Sequence, residues 1–144
     1  MRCAFFNQNF DENFADSVRA GVVAMPAGDT TEPFVDADDI AEVVVAALTD
    51  DRHIGELYEV TGPRLMTVAE VAGELGDAMG REVRYVPVTA EEFGAELGAA
   101  GMPEADATHL AELLTEVLAG RSSRLGDGVQ RALGRPARDF ADYA

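Results

Sequence analysis

Phe6, Phe10, Phe14 and Val18 recur every four residues, a spacing that predicts a helix over 7–20, with Gly21 as its left-handed stop. The apolar run 3–6 before it fits a buried strand end, and Pro26, Gly28 and Asp29 mark a loop. Positions 33–35 predict a short strand. Asp36 then stands as a helix N-cap, Asp38 and Asp39 place acid in the first turn, and Ile40, Val43, Val44, Ala47 and Leu48 make one apolar face. Thr49 to Arg52 reads as a polar exit, 57–60 as a strand, and Gly62-Pro63 as its end. Thr67 to Glu70 and Thr89 to Glu92 both fit the Thr-x-x-Glu capping box. The first opens a helix with Val68, Val71, Ala72, Leu75 and Met79 inward and Gly80 as its stop; the second opens a helix carrying Phe93 and Leu97 that fades at 98–101. Between them 83–88 predicts a strand, and Pro87, lacking an amide donor, places it at a sheet edge. Pro103 opens a longer helix with the stripe Leu110, Leu113, Leu114, Val117 and Leu118, closed by Gly120. Asp127 with Gln130 predicts a short capped helix to Leu133, and 137–143 a last one. The fold class is therefore α/β: a small sheet of few short strands with several helices, the C-terminal third mostly helical.

Composition narrows the function classes. The 144 residues suit one compact domain, 1–144, and 47% hydrophobic content is that of a folded chain. The formal charge is −16, from 27 acids against 11 basic residues, all of them arginine. Such a surface repels phosphate backbones and anionic lipids, so nucleic acid and membrane are not expected partners. With no lysine there is no Schiff base, no Walker-type lysine and no Tyr-x-x-x-Lys pair. No run reaches the roughly 20 apolar residues of a membrane span. The polar Asn7, Gln8 and Asn9 break any leader-like stretch, and a lone Cys3 makes no internal disulfide; the expected location is the cytoplasm.

Familiar catalytic constellations are missing. There is no glycine-rich dinucleotide loop, no Gly-x-Ser-x-Gly elbow and no metal-ligand spacing around His53 and His109. His53, in a polar turn, reads as a solvated loop residue, and His109 as surface or structural. Tyr58 and Tyr85 fall on strands, where packing or a pocket-facing hydroxyl explains each equally. Arg64 reads as a salt-bridge partner for one of the many acids. The segment Phe5-Phe6-Asn7-Gln8-Asn9-Phe10 sets three amides among aromatics, where they either hold a ligand's polar group against an apolar wall or simply cap a helix. Asp36, Asp38 and Asp39 are either an acidic first turn facing water or, at Asp36, a carboxylate against Phe34 fit for acid/base work.

Taken in order, several of these segments resemble one family. The Asn-Phe of 5–10, Pro-x-Gly-Asp at 26–29, Pro-Phe-Val-Asp-x-x-Asp-Ile-Ala at 33–41 and Tyr-Glu-Val-Thr-Gly-Pro at 58–63 resemble the second half of NmrA-like proteins. So do the helix start at 67–71, Arg-Tyr-Val-Pro-Val at 84–88 and Gly-Arg-Pro-x-Arg-x-Phe at 134–140. These proteins are atypical short-chain dehydrogenase/reductase relatives with an NAD(P)-binding Rossmann core. The resemblance implies that Phe6, Asn7 and Asn9 line a pocket and that Phe34 and Asp36 border the same cleft. It also implies that the glycine-rich nucleotide loop belongs to a half not present here, so redox chemistry does not carry over with it.

The resulting expectation is a cofactor-independent enzyme on an NmrA-like lobe, performing cyclisation, isomerisation or epoxide opening on a small hydrophobic substrate. Asp36 would act as acid/base, and Asn9, with Asn7, as an orienting donor. Phe5, Phe6, Asn7, Phe10 and Phe34 would contact the substrate. No cofactor is expected, NAD(P) entering only if a partner chain supplies the nucleotide-binding half. The partner is a second copy of the chain or a Rossmann-containing chain. Two alternatives stand beside this: a non-catalytic ligand-binding or regulatory module, and the substrate half of a split NAD(P)-dependent oxidoreductase.

Overall fold

A computed structural model describes residues 1–144 and shows an α/β chain with three two-stranded sheets. Its contacts group into two units. One comprises Met1–Ala15, Glu32–Met66 and Ser123–Ala144; the other comprises Asp16–Thr31 and Thr67–Ser122.

In the first unit β1 (Arg2–Cys3) runs parallel to β4 (Glu59–Val60), with Arg2 opposite Glu59 and Cys3 opposite Val60. The chain past β1 makes one further parallel bridge, Phe6 to Val35. The expected strand at 33–35 is reduced to that bridge, and the neighbouring short strand is β3 (Thr31–Glu32), which pairs with β5 (Met66–Thr67). α2 (Ala37–Thr49) starts at the Asp36 cap, whose side chain accepts from the Asp38 amide. It packs its Ile40 and Val43 on Val35, Tyr58 and Val60, together with Val129 and Ala132 of α6 (Gly128–Leu133). α6 approaches β4 closely. A Cβ on Gly126 or Gly128 would lie 2.3 or 2.5 Å from the Glu59 carbonyl oxygen, so only glycine fits there. Asp127 precedes α6 without a side-chain cap bond, contrary to the expected capping by Asp127 and Gln130. The last helix, α7 (Phe140–Tyr143), is shorter than the sequence suggests and is capped by Asp139.

The predicted helix over 7–20 is broken. Residues Asn7–Phe10 form one 3₁₀ turn, and α1 spans only Ala15–Arg19. Asn7, Asn9 and Asn13 are weak helix formers whose amides bond locally. Asn13 Nδ2 donates to Asn9 Oδ1 at 2.9 Å, and the Phe14 amide reaches the Asn9 carbonyl, which tightens the chain between the two segments.

In the second unit β2 (Val22–Met25) runs parallel to β6 (Arg84–Pro87), Val22 opposite Arg84 and Met25 opposite Pro87. The apolar pattern leaves 22–25 unassigned between a helix stop and a loop, because four residues carry no period. α3 (Val68–Met79) packs behind β6, with the Thr67/Glu70 capping box formed and Gly80 left-handed at its end. α4 (Ala90–Ala99) carries the Thr89/Glu92 box and pairs with α5 (Glu104–Val117). A Cβ on Gly94 would sit 3.6 Å from Ala107 and Ala111, so small residues set that close approach. No helix is long and apolar enough to cross a membrane.

Candidate functional site

Backbone bonding brings the two chemistry-bearing segments together. The Asn7 amide donates to the Val35 carbonyl and the Val35 amide to the Phe5 carbonyl, each at 2.9 Å. This sets 5–10 beside the N-terminus of α2. Gln8, which the sequence reading gave no separate role, is the clamp: its Oε1 accepts from the Ala37 amide at 2.9 Å and its Nε2 donates to Asp36 Oδ1 at 3.2 Å. Asp36 Oδ1 also accepts from the Asp38 amide at 2.7 Å. Asp36 is only 6% exposed, and its charge sits at the positive end of the α2 dipole. Gln8 and Asp36 thus cap one helix jointly, and one carboxylate oxygen is fully engaged in doing so.

The asparagines differ. Asn7 is 0% exposed, and neither atom of its amide has a hydrogen-bond partner. Leaving a buried polar group unsatisfied costs about 1–3 kcal/mol, which sets this amide apart from those of Gln8 and Asn9. Asn9 is half-buried; its Oδ1 accepts from Asn13, while its side-chain Nδ2 makes no bond within the chain.

Behind the amides lies an aromatic cluster. Phe10 meets Phe34 at 5.8 Å, Phe140 at 5.9 Å and Phe14 at 6.1 Å between ring centroids, and Phe5 meets Phe34 edge-on at 5.9 Å. Phe10 and Phe34 are buried in this packing; Phe6 lies outside it and is 41% exposed. Tyr143, read from sequence only as the end of a helix, joins the cluster through Phe140 at 5.4 Å. Burial, then the Asp11 carboxylate and, more weakly, Asp36, push its phenol well above the ordinary tyrosine range, so it stays protonated and donates to Asp11. No sequence period links 143 to 11 and 36.

Two expectations are corrected elsewhere in this unit. His53 is buried, not solvated: its Nδ1 lies 2.6 Å from the Tyr58 hydroxyl, and its Nε2 has no partner. The reason is that 51–53 forms a 3₁₀ turn that folds the ring inward against Tyr58. Asp39 does not face water. It has no exposed surface and receives Arg135 Nη2 at 2.8 Å, the Arg138 amide at 2.7 Å and the Arg138 guanidinium. The same arginines hold Glu42 below the usual carboxylate range. Arg64 pairs with Asp139, at 2.7 Å and 2.9 Å, and His109 is exposed, both as read from sequence.

No family profile matches the chain. It is 40% identical over 141 residues to an NAD(P)H azoreductase of Xenophilus azovorans, covering 97% of this chain and 49% of that protein. It is 34% identical over 147 residues to an uncharacterised oxidoreductase of Bacillus subtilis, covering 100% and 51%. Its fold matches a triphenylmethane reductase of Citrobacter bound to NADP(H) with a TM-score of 0.83 at 25% identity, covering 98% of this chain and 50% of that one. The NADPH complex of an Escherichia coli quinone oxidoreductase matches with a TM-score of 0.86 at 23% identity, covering 99% and 50%. The chain belongs to the NmrA-like, atypical short-chain dehydrogenase/reductase family and corresponds to its C-terminal half. It spans about half the length of the curated relatives it matches.

This half of the NmrA-like fold does not itself fit a dinucleotide. The glycines at which a Cβ would collide face the chain's own backbone: Gly62 at Phe34, Gly76 at Arg81, Gly126 and Gly128 at Glu59. They serve internal packing, and none opens a cradle at a strand-to-helix turn for a pyrophosphate. The NmrA-like half does hold a cleft of about 510 Å³ beside α4 and α5, with Gly94, Ala107 and Ala111 on its floor and Glu91, Glu104 and Glu112 among its lining. None of Phe5, Phe6, Asn7, Asn9, Phe10, Phe34 and Asp36 lines it.

Proposed function

We propose that this chain supplies the substrate-facing half of an NAD(P)H-dependent oxidoreductase, the dinucleotide being held by the other half of the NmrA-like fold. One observation carries the reading: relatives named as azoreductase and oxidoreductase match across the whole of this chain, yet extend over about twice its length. The absence of a nucleotide cradle among its glycines agrees with that division. The relatives' names favour redox chemistry over cofactor-free cyclisation or isomerisation. The engagement of Asp36 in capping α2 also weighs against its use as a free acid/base.

The substrates named for the relatives and for the structure neighbours, azo compounds, quinones and triphenylmethanes, are conjugated, largely apolar acceptors. A substrate of that class suits this chain. The aromatic segment 5–10 offers an apolar wall, with Phe6 exposed on it. Asn9, whose amide nitrogen is unengaged, is the orienting donor, and the Gln8–Asp36 clamp holds that segment against α2.

The test combines the chain with the N-terminal half of the Xenophilus azoreductase and follows NADPH oxidation in the presence of a quinone or an azo dye. Turnover should require both halves, and Asn9→Ala should lower kcat/KM about tenfold, the worth of one hydrogen bond to the acceptor. Binding of NADPH by the isolated chain in calorimetry would overturn the division of labour. So would substrate conversion by the isolated chain without nucleotide.

A further inference from the structure

The cleft of about 510 Å³ beside α4 and α5 has no part in the functional reading, and all the residues that line it belong to the second unit. Its cause is the composition of α4. Apart from Glu91, that helix lines it only with Ala90, Gly94, Ala95 and Gly98. Phe93, the large aromatic residue of α4, is buried and does not line it. α5 contributes the buried Ala107 and Ala111, and a Cβ on Gly94 would already touch both at 3.6 Å. The two helices therefore meet at the floor, while their short side chains leave the space beside it unfilled. Met102, from the turn between them, adds a larger apolar wall. A space of this size holds an organic molecule of drug-like dimensions.

The charged side chains at the cleft are Glu91, Glu104 and Glu112, all of one sign. None of them stands in an ion pair, whereas Glu42, Glu56, Glu59 and Glu116 each meet an arginine. The reason is in the sequence: no arginine falls between Arg84 and Arg121, the stretch that holds both helices. Carboxylates of one sign around a concave apolar floor focus negative potential into it. An anion is repelled there, and a neutral apolar molecule leaves the carboxylates unanswered. A bare metal ion is no better match, since these acids form no group able to hold one.

We infer that the α4/α5 cleft is a binding site for an organic cation with an apolar body. The body lies on Gly94, Ala107 and Ala111 against Met102, and the positive charge is answered by Glu91, Glu104 and Glu112. The apolar floor supplies burial, and the carboxylates select the sign of the charge. The site is separate from the aromatic and amide residues of 5–10, and the inference stands or falls independently of the oxidoreductase reading.

Calorimetric titration of the chain with tetraphenylphosphonium, and with neutral triphenylphosphine oxide of similar shape, tests it. The cation should bind one to one, and at least about tenfold more tightly than the neutral compound. Glu91→Gln/Glu112→Gln should weaken it about fivefold, the worth of two partly hydrated charge contacts. Glu96→Gln/Asp106→Asn removes the same charge from the same two helices at exposed positions outside the cleft, and should bind as wild type. Ala95→Phe places a ring in the cleft from an exposed position and should abolish binding with Tm unchanged. Equal weakening by the two acid-to-amide pairs would reduce the effect to the chain's diffuse negative charge and overturn the inference. So would equal affinity for the neutral compound, retention of binding in Ala95→Phe, or no binding of the cation at all.

Discussion

Asp39 is a carboxylate with no solvent exposure, and the cations that neutralise it come from almost a hundred residues away. Removing one partner of a buried ion pair strands the other charges. Asp39→Ala should therefore lower stability by about 2–4 kcal/mol, an effect moderated because Arg135 and Arg138 remain partly hydrated; urea unfolding measures it, and a loss under about 0.5 kcal/mol would reduce the cluster to decoration. Gly62 is a second position where one atom matters. A Cβ there would lie 1.9 Å from the Phe34 carbonyl oxygen, so Gly62→Ala should cost about 2–3 kcal/mol by forcing Phe34 and Asp36 to move. Arg64 acts through pH. Its hydrogen bonds hold the Asp139 carboxyl below its ordinary value of 3.8. A depressed carboxyl pKa adds stability that is complete above the unfolded value and is lost as pH falls through the folded one. Arg64→Gln should thus be less stable than wild type at about pH 7, and the difference should shrink below about pH 4. A gap that stays constant down to about pH 2 would mean that the pair contributes nothing through ionisation.

At the scale of elements, local signals proved readable and long-range ones did not. Both capping boxes close as their Thr-x-x-Glu spacing requires, because the partners sit within one turn. Thr67→Ala and Thr89→Ala should each cost about 1 kcal/mol, read as a shift in the thermal midpoint; no shift would show that tertiary packing alone holds those helix starts. The Asp36 cap of α2 was legible for the same reason. The Phe6–Phe10–Phe14 period misled, since Phe10 and Phe14 serve a cluster with Phe34 and Phe140 while Phe6 is exposed outside it, so the three share no helix face. His53 and Asp39 were read as wet because their sequence neighbours are polar; Tyr58 and Arg138, which bury them, are not neighbours in sequence. Gln8 and Tyr143 entered the candidate site through contacts with Asp36 and Asp11 that no spacing rule reaches.

For the whole molecule, charge and length set the behaviour. Ten of the arginines stand in ion pairs, among them Arg2, Arg64 and Arg124, yet 27 acids against 11 arginines leave most of the negative charge unanswered. Repulsion among surplus acids is screened over about 10 Å at 0.1 M salt. Raising NaCl from about 20 mM to about 500 mM should therefore raise Tm by a few degrees, about 1 kcal/mol in stability. A fall would mean that the pairs outweigh the surplus. The length explains why function was less legible than fold: the chain matches only about half of each relative, and no glycine-rich nucleotide loop falls within its own sequence.

The three-segment make-up of the first unit also bears on how the chain is synthesised. Its core needs Met1–Ala15, Glu32–Met66 and Ser123–Ala144 together, whereas most of the second unit is the continuous stretch Thr67–Ser122. Asp39, Val43 and Val60 leave the ribosome long before Val129, Ala132 and Arg138 exist to cover them. Nascent α2 must wait with its carboxylate unanswered and its apolar face bare. During translation that helix stays uncovered until 123–144 has been made, so the unit's early segments depend on a much later one to fold.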